Sequence, residues 1–168
     1  EMQRRYLGTI KSKAEDIDRM VSQIFLFSKM ELEEYPVHPE PLRLDEEVGS
    51  LVQSAAPEYR ARGLEITVQP APVTVCADRD LLRRILLNIM DNSLKYKNKP
   101  VGHLDIRVQA SGGVCTLGLT DDGPGVPEEA CGKLFDVFYR SDPARRNSAG
   151  GSGLGLAIAA TAAARMGG

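Results

Sequence analysis

One short segment carries three polar residues whose types and spacing suit the binding of phosphate and metal. Asn88, Asn92 and Lys95 are spaced i, i+4 and i+7, which places them on one face of a helix, with Asp91 beside that face. An asparagine carbonyl oxygen is a hard, neutral ligand for Mg²⁺, which is usually held by few protein groups together with phosphates. A lysine ammonium neutralises phosphate charge. The same spacing also occurs on the solvated face of an ordinary amphipathic helix.

Residues 121–127 have the sequence Asp-Asp-Gly-Pro-Gly-Val-Pro and follow a strand-like run. Gly123 and Gly125 would let the backbone approach a flat ligand closely, because glycine has no side chain. Asp121 can accept a hydrogen bond from an exocyclic amine, which would favour adenine over guanine. The alternative is an ordinary turn, since Asp-Gly and Pro-Gly are common turn pairs.

A second glycine-rich segment, Gly-Gly-Ser-Gly-Leu-Gly-Leu at 150–156, directly precedes the last predicted helix. The N–H groups and the positive dipole end of a helix N-terminus favour phosphate. The segment is neither a P-loop nor a dinucleotide fingerprint, because GxxxxGK[ST] is absent and no βαβ unit surrounds it. A flexible linker would have a similar composition.

Between the two glycine-rich segments lies Leu-Phe-Asp-Val-Phe-Tyr-Arg at 134–140. We expect Phe135 and Phe138 to anchor this segment to the core. Plain packing without a functional role is the alternative for both aromatic residues. Arg140 begins a polar stretch, from which its guanidinium could reach a terminal phosphate.

The elements that must position these residues alternate between helical and strand-like patterns. We expect Asp45 to cap a helix that ends near Arg62, and Asp78 or Asp80 to begin another that ends near Tyr96. A third helix is expected over 154–166, and strands over 64–69, 73–77, 104–110 and 114–120. The fold class is therefore α+β, a two-layer α/β sandwich with helices covering one face of a mixed sheet.

The N-terminal region shows an apolar heptad pattern of the kind that packs helix against helix. The seam consists of Leu7, Ile10, Ala14, Ile17, Val21, Ile24 and Ser28. No second long heptad segment is present, so the helix needs a partner from another chain or from residues upstream. Three prolines follow it, and we divide the chain into a helix at 1–35, a linker at 36–41 and a second domain at 42–168.

The composition narrows the possible functions. A net charge of −2 and a pI of about 5.8 provide no basic field for nucleic acid. No apolar run reaches the ~20 residues that span a bilayer. Glu1 is not a natural start, so we expect a fragment, and a membrane segment could precede it.

The order of these motifs resembles the GHKL, or Bergerat-fold, ATPase superfamily, and specifically the catalytic domain of bacterial sensor histidine kinases. Residues 88–96 resemble the N-box, and 121–125 match the DxGxG motif. Residues 135–140 resemble the F-box, and 151–156 match GxGLGL. Residues 1–35 resemble the second helix of the dimerisation and phosphotransfer hairpin.

The resemblance implies an ATP and Mg²⁺ site closed by a lid at 141–149. Asn88 would hold Mg²⁺, Asn92 and Lys95 would contact phosphates, and Tyr96 would pack near the nucleoside. Asn88, Lys95 and Arg140 are the implied catalytic residues. The implied nucleotide-binding residues are Asn88, Asn92, Lys95, Tyr96, Asp121, Gly123, Gly125, Val126, Gly151, Gly153, Leu154, Gly155 and Leu156.

The chain departs from the family pattern at the phosphoacceptor. Its two histidines, His38 and His103, lie outside the heptad helix. We therefore expect the γ-phosphate to go to a histidine upstream of Glu1 and then to a response-regulator aspartate. The family also has a further strand beyond Gly168, so an edge of the sheet is expected to be missing. The resemblance further implies a homodimer and a cytoplasmic domain anchored in the bacterial inner membrane through other segments.

The identity of residue 88 helps to distinguish between the possible functions of this fold. Hydrolysing relatives carry a glutamate there to activate water, and asparagine cannot take a proton at neutral pH. This disfavours a chaperone, gyrase or mismatch-repair ATPase. An anti-sigma-type serine kinase of the same fold remains an alternative, as does a nucleotide-free interaction module that dimerises through residues 7–32.

Overall fold

The computed structural model describes residues 2–140 and 152–168. The predicted lid at 141–149 and Gly151 lie outside the described residues. The helices are α1 (Met2–Glu31), α2 (Leu44–Ala61), α3 (Arg79–Tyr96), α4 (Glu128–Cys131) and α5 (Gly155–Arg165). The strands are β1 (Glu40–Arg43), β2 (Leu64–Gln69), β3 (Thr74–Ala77), β4 (Gly102–Ser111) and β5 (Val114–Asp121). Every predicted helix and strand is confirmed to within about two residues, apart from α1, which ends at Glu31, four residues before the predicted bound at 35; β1 and α4 were not predicted.

A three-stranded mixed sheet forms the centre of the fold. β2 runs parallel to β4, and β4 runs antiparallel to β5. The turn between β4 and β5 uses Gly112 and Gly113, both with positive φ angles of 58° and 80°, which glycine adopts without steric cost. β1 and β3 form a separate antiparallel pair. The predicted α+β class with a mixed sheet is confirmed.

The two faces of the sheet differ in chemistry. On β4, Leu104, Ile106 and Val108 are buried in one core with residues of α2 and α3. The alternate residue Asp105 faces the other way, where it accepts hydrogen bonds from Thr67 at 2.7 Å and Arg107 at 2.9 Å. Because side chains alternate along a strand, apolar residues at every second position give one covered face. The helices therefore cover one face, as predicted.

Asp78 caps α3 and connects it to the segment before β1. Its carboxylate accepts hydrogen bonds from the backbone N–H groups of Asp80 (2.9 Å), Leu81 (3.0 Å) and His38 (2.8 Å). Burial opposes the charged form, but these three bonds outweigh it, and the pKa of Asp78 lies below its ordinary value. The N-cap predicted at Asp45 is wrong. α2 begins at Leu44 with Arg43 at the N-cap position, and the Asp45 carboxylate instead accepts from the Arg43 side chain at 2.9 Å.

Among the described residues, α1 packs against the rest of the fold at its C-terminal end. Met30 is buried with Leu81, Leu154 and Ile158, and Arg165 donates to the backbone carbonyls of Met30 and Tyr35, each at 2.8 Å. The heptad seam further along α1 is exposed, which agrees with the expected need for a partner helix. None of the described helices is both long and apolar enough to cross a membrane.

Candidate functional site

Asn88 lies where α3 meets the second glycine-rich segment. A methyl group built at Gly155 would be 3.3 Å from Asn88 Oδ1, so the missing side chain at 155 leaves room for the amide. Asn92 and Lys95 follow on the same helix, and both are partly exposed. The structure thus brings the polar face of α3 to the N-terminus of α5. Two predicted parts of the site, Asn88 and Gly155, 67 positions apart in sequence, are adjacent here.

Asp91 belongs to a different contact. Its Oδ1 accepts a hydrogen bond from the Tyr59 hydroxyl at 2.7 Å, which joins α3 to α2. Burial, followed by the bond to Asp91, raises the pKa of Tyr59 and keeps its phenol protonated. Asp91 therefore contributes to packing between the helices.

Asp121 ends β5 with both carboxylate oxygens held. Oδ2 accepts from the Ser93 hydroxyl at 3.2 Å, and Oδ1 accepts from the Gly123 N–H at 2.9 Å. A methyl group at Gly123 would be 2.7 Å from Asp121 Oδ1, so only glycine fits there without displacing the carboxylate. Gly125 has a φ of +75° and open space around its Cα. The loop therefore presents an oriented carboxylate close to a glycine that leaves open space.

The sequence analysis did not identify Ser93 as a site residue, although its position in α3 indicates a buried hydroxyl. It is a hydroxyl residue at a buried position of α3, between Met90 and Leu94, which are also buried. A buried hydroxyl nearly always has a hydrogen-bond partner. That expectation indicates a contact but does not identify Asp121 as the acceptor.

Asp122, next to Asp121, anchors the same loop to its surroundings. It accepts hydrogen bonds from the His103 N–H at 2.8 Å and from Lys99 Nζ at 2.9 Å, and its own N–H donates to the His103 carbonyl at 3.1 Å. The backbone bond from His103, followed by the bond from Lys99, lowers the pKa of Asp122. The two adjacent aspartates therefore differ in role: Asp122 fixes the loop, and Asp121 remains exposed at the edge of the loop.

The second glycine-rich segment turns sharply before α5. Gly153 has a φ of +73°, and a methyl group there would be 2.9 Å from Phe138 Cα. Leu154 is fully buried. Its N–H donates to Ser152 Oγ at 3.1 Å, and the Ser152 hydroxyl donates to Gln23 Oε1 of α1 at 2.6 Å. The predicted phosphate-binding backbone at Leu154 is therefore already engaged by a serine that α1 holds.

The expectation that Phe135 and Phe138 anchor their segment to the core is wrong. Their side chains are 56% and 58% exposed. α4 is a single turn that buries only Ala130, and residues 132–140 form no helix or strand that would direct both aromatic rings inward. Instead the backbone attaches the segment, because the Phe138 N–H donates to the Gly153 carbonyl at 3.2 Å. Arg140 lies partly buried at the end of the segment.

Lys95 and Tyr96 lie at the end of α3 nearest the Asp121 loop. Lys95 Nζ is 4.8 Å from the centroid of the Tyr96 ring, a cation–π contact. The Tyr96 carbonyl oxygen borders Gly123. The two remaining predicted residues differ in exposure: Val126 is exposed and Leu156 is partly buried. α3 thus lies between the two glycine-rich segments, with Asn88 beside one and Ser93 beside the other, about 7.5 Å apart along the helix axis.

Comparisons with known proteins identify the family of this chain. The sequence profile of the family described as "Histidine kinase-, DNA gyrase B-, and HSP90-like ATPase" matches residues 77–168. The swarming motility regulation sensor protein RssA of Serratia marcescens is 30% identical over 98% of this chain and 34% of its own length. Sensor histidine kinase CpxA of Escherichia coli K12 is 32% identical over 93% of this chain and 34% of its own. The chain spans about a third of the length of these curated relatives.

Solved structures show the same fold. The crystal structure of full-length ShkA in complex with AMPPNP superposes with a TM-score of 0.81 and 26% identity, covering 99% of this chain and 35% of that one. The mycobacterial sensor histidine kinase MprB gives a TM-score of 0.62 and 32% identity, covering 77% of this chain and 81% of that one.

Proposed function

This chain belongs to the histidine kinase-, DNA gyrase B- and HSP90-like ATPase family, and we propose that it is the ATP-binding kinase module of a two-component sensor histidine kinase. The observation that carries the proposal is the position of α3 between two glycine-rich segments. One end of the helix holds Asp121 through Ser93, and Asn88 lies against Gly155 at the N-terminus of α5. A base-recognising carboxylate and a phosphate-binding helix end thus share one side of the molecule.

Each predicted site residue has a role in this proposal. Asp121 accepts a hydrogen bond from the adenine amine, while Gly123, Gly125 and Val126 border the ring and Tyr96 packs near the nucleoside. Asn92, Lys95 and Arg140 neutralise or position phosphates, because charge neutralisation and alignment are most of what a protein contributes to phosphoryl transfer. The backbone from Gly151 to Leu156 receives the phosphates at the helix N-terminus, where a phosphate oxygen takes the place of Ser152 Oγ as acceptor for the Leu154 N–H.

The donors present fit Mg²⁺ bound mainly by phosphate. Among the described residues no group of three histidine, cysteine, aspartate or glutamate side chains forms a metal cage. The Asn88 amide oxygen beside Gly155 is a single hard ligand, which suits an ion that keeps phosphate and water in its coordination shell. When bound, Mg²⁺ would supply charge neutralisation on the phosphates.

Asn88 also favours transfer over hydrolysis, because an amide cannot accept a proton from water at neutral pH. In the proposed reaction a histidine nitrogen bonds to the γ-phosphorus, the bond to the ADP oxygen breaks, and the imidazole loses its proton. His38 and His103 are both exposed and lie outside α1. We therefore place the acceptor histidine on another segment of a longer protein, with onward transfer to a response-regulator aspartate.

The remaining proposals concern assembly and location. The exposed apolar seam of α1 suits pairing with a helix of the same kind in a homodimer. We place this module in the cytoplasm, with any membrane anchor in other segments of the protein. The net charge of −2 argues against nucleic acid as a partner.

The test follows the γ-phosphate. The chain with Mg²⁺ and γ-labelled ATP should bind the nucleotide, hydrolyse it slowly and remain unlabelled. Rapid phosphate release would favour the hydrolysing relatives, and acid-stable label on serine would favour a serine kinase. Substituted for the matching third of CpxA, the chain should produce acid-labile label that Asp121→Ala abolishes. A chimera that binds ATP yet gains no label would contradict the kinase assignment.

A further inference from the structure

Ser93 is unusual among the described residues, because it and Asp78 are the only polar residues that are buried. The role of Asp78 is plain, since it caps α3. Ser93 lies inside α3, where serine has no advantage for the helix. Its side chain points toward the Asp121 carboxylate, 28 residues away in sequence.

The contacts of Asp121 fix more than the position of its charge. The Ser93 hydroxyl donates to Oδ2 and the Gly123 N–H donates to Oδ1. Two donors on two different oxygens determine the plane of the carboxylate as well as its location. The carboxylate therefore cannot rotate about its Cβ–Cγ bond without breaking at least one of them.

The orientation of the carboxylate matters because adenine and guanine present different edges. Adenine offers one exocyclic amine at the position where guanine carries a carbonyl oxygen. Guanine offers a ring N–H and an adjacent amine, two parallel donors that a freely rotating carboxylate can accept together. A carboxylate held in one plane can favour the single amine and disfavour the paired donors.

We propose that Ser93 is a positioning residue that sets base specificity, holding the Asp121 carboxylate in the plane that selects adenine over guanine. This inference rests on the proposed ATP site. Ser93 acts through Asp121 and does not itself touch the base. Removal of the Ser93 hydroxyl should therefore change the ratio of ATP to GTP affinity, whereas removal of a serine with only a packing role would leave that ratio unchanged.

The experiment compares Kd values for Mg-ATP and Mg-GTP by calorimetry in the full chain. Ser93→Ala fits the same space and should weaken ATP binding about tenfold, the scale of one hydrogen bond to a charged group. Binding of GTP should weaken less or strengthen, so the ATP preference falls. Ser93→Thr keeps the hydroxyl and should retain the wild-type preference. Ser54→Ala is the matched control, because that hydroxyl donates to the Leu51 carbonyl within α2 and, among the described residues, to no other group.

An unchanged ATP-to-GTP ratio in Ser93→Ala would overturn the inference, as would equal weakening of both nucleotides. Thermal unfolding of each variant would show that it is folded under the conditions of the titration. The proposed function fails in a different way. A folded wild-type chain that binds neither nucleotide would refute the ATP site and the inference together, whereas ATP binding with an unchanged ratio would refute the inference alone.

Discussion

The two glycine-rich segments both contact α3, but different parts of the chain hold them in place. Residues 121–123 are fixed by near neighbours in the fold: Ser93 of α3 holds Asp121, and Lys99 and His103 hold Asp122. Residues 152–155 depend on the N-terminal helix: Ser152 donates to Gln23, and the buried Leu154 packs in one cluster with Met30 of α1.

This difference separates the two ends of the proposed site. Among the described residues, the end that would recognise the base is built from α3, β4, β5 and the loops that follow α3 and β5, so it should keep its shape when α1 moves. The end that would bind phosphates includes a contact whose sequence separation is 129 residues. A displacement of α1 should therefore change the positions of Leu154 and Ser152 more than the position of Asp121.

The largest expected effect is on stability, when a methyl group is added to one glycine of each segment. Gly153→Ala meets both a positive φ and the Phe138 backbone at 2.9 Å, so we expect a loss of about 2–4 kcal/mol in the free energy of unfolding. Gly125→Ala has nearly the same φ but open space, and should lose only about 1–2 kcal/mol. Urea unfolding of both variants measures the difference; equal losses would show that Phe138 yields freely.

A smaller effect concerns pH and the first segment. The pKa of Asp122 is lowered in the folded chain, so its contribution to stability is present above the unfolded pKa of about 4 and is lost as the pH falls through the lower folded value. Unfolding midpoints measured from about pH 6 to pH 3 should fall less steeply in Asp122→Asn than in the wild type. Parallel pH profiles would mean that the bonds from His103 and Lys99 contribute nothing to folding.

The smallest effect concerns the link to α1. Gln23→Ala removes the acceptor of the Ser152 hydroxyl and should lower the free energy of unfolding by about 0.5–1.5 kcal/mol. Hydrogen exchange at the Leu154 N–H should accelerate, while exchange at Gly123 should not change. Gln53→Ala on the exposed surface of α2 is the matched control. Equal acceleration at Leu154 and Gly123 would show that α1 affects both segments alike.

Much of this architecture was predictable, because it rests on local patterns. Alternation predicted β4 and β5, and the 3.6-residue period predicted the polar face of α3 with Asn88 and Lys95. β1 was missed because its four residues include Pro41, which is tolerated on an edge strand but suggests a linker when only the sequence is considered.

The contacts that make the site specific were not predictable from local patterns. Periodicity places Ser93 on the buried side of α3, but it does not identify a partner 28 residues away. The exposure of Phe135 and Phe138 was mispredicted for a related reason. Aromatic residues are expected to be buried, yet burial requires neighbouring elements to cover them, and a single-turn helix followed by irregular backbone does not direct them inward.

The most direct test of the central claim compares the adjacent aspartates in one calorimetric titration with Mg-ATP. We expect the wild type to bind ATP and Asp121→Ala to weaken binding by at least about tenfold, because a charged hydrogen-bond acceptor for the base is lost. Asp122→Asn should keep the wild-type affinity within about threefold, because that residue anchors the loop from outside the site. Equal ATP affinity in the wild type and in Asp121→Ala would contradict the proposal that Asp121 binds the base.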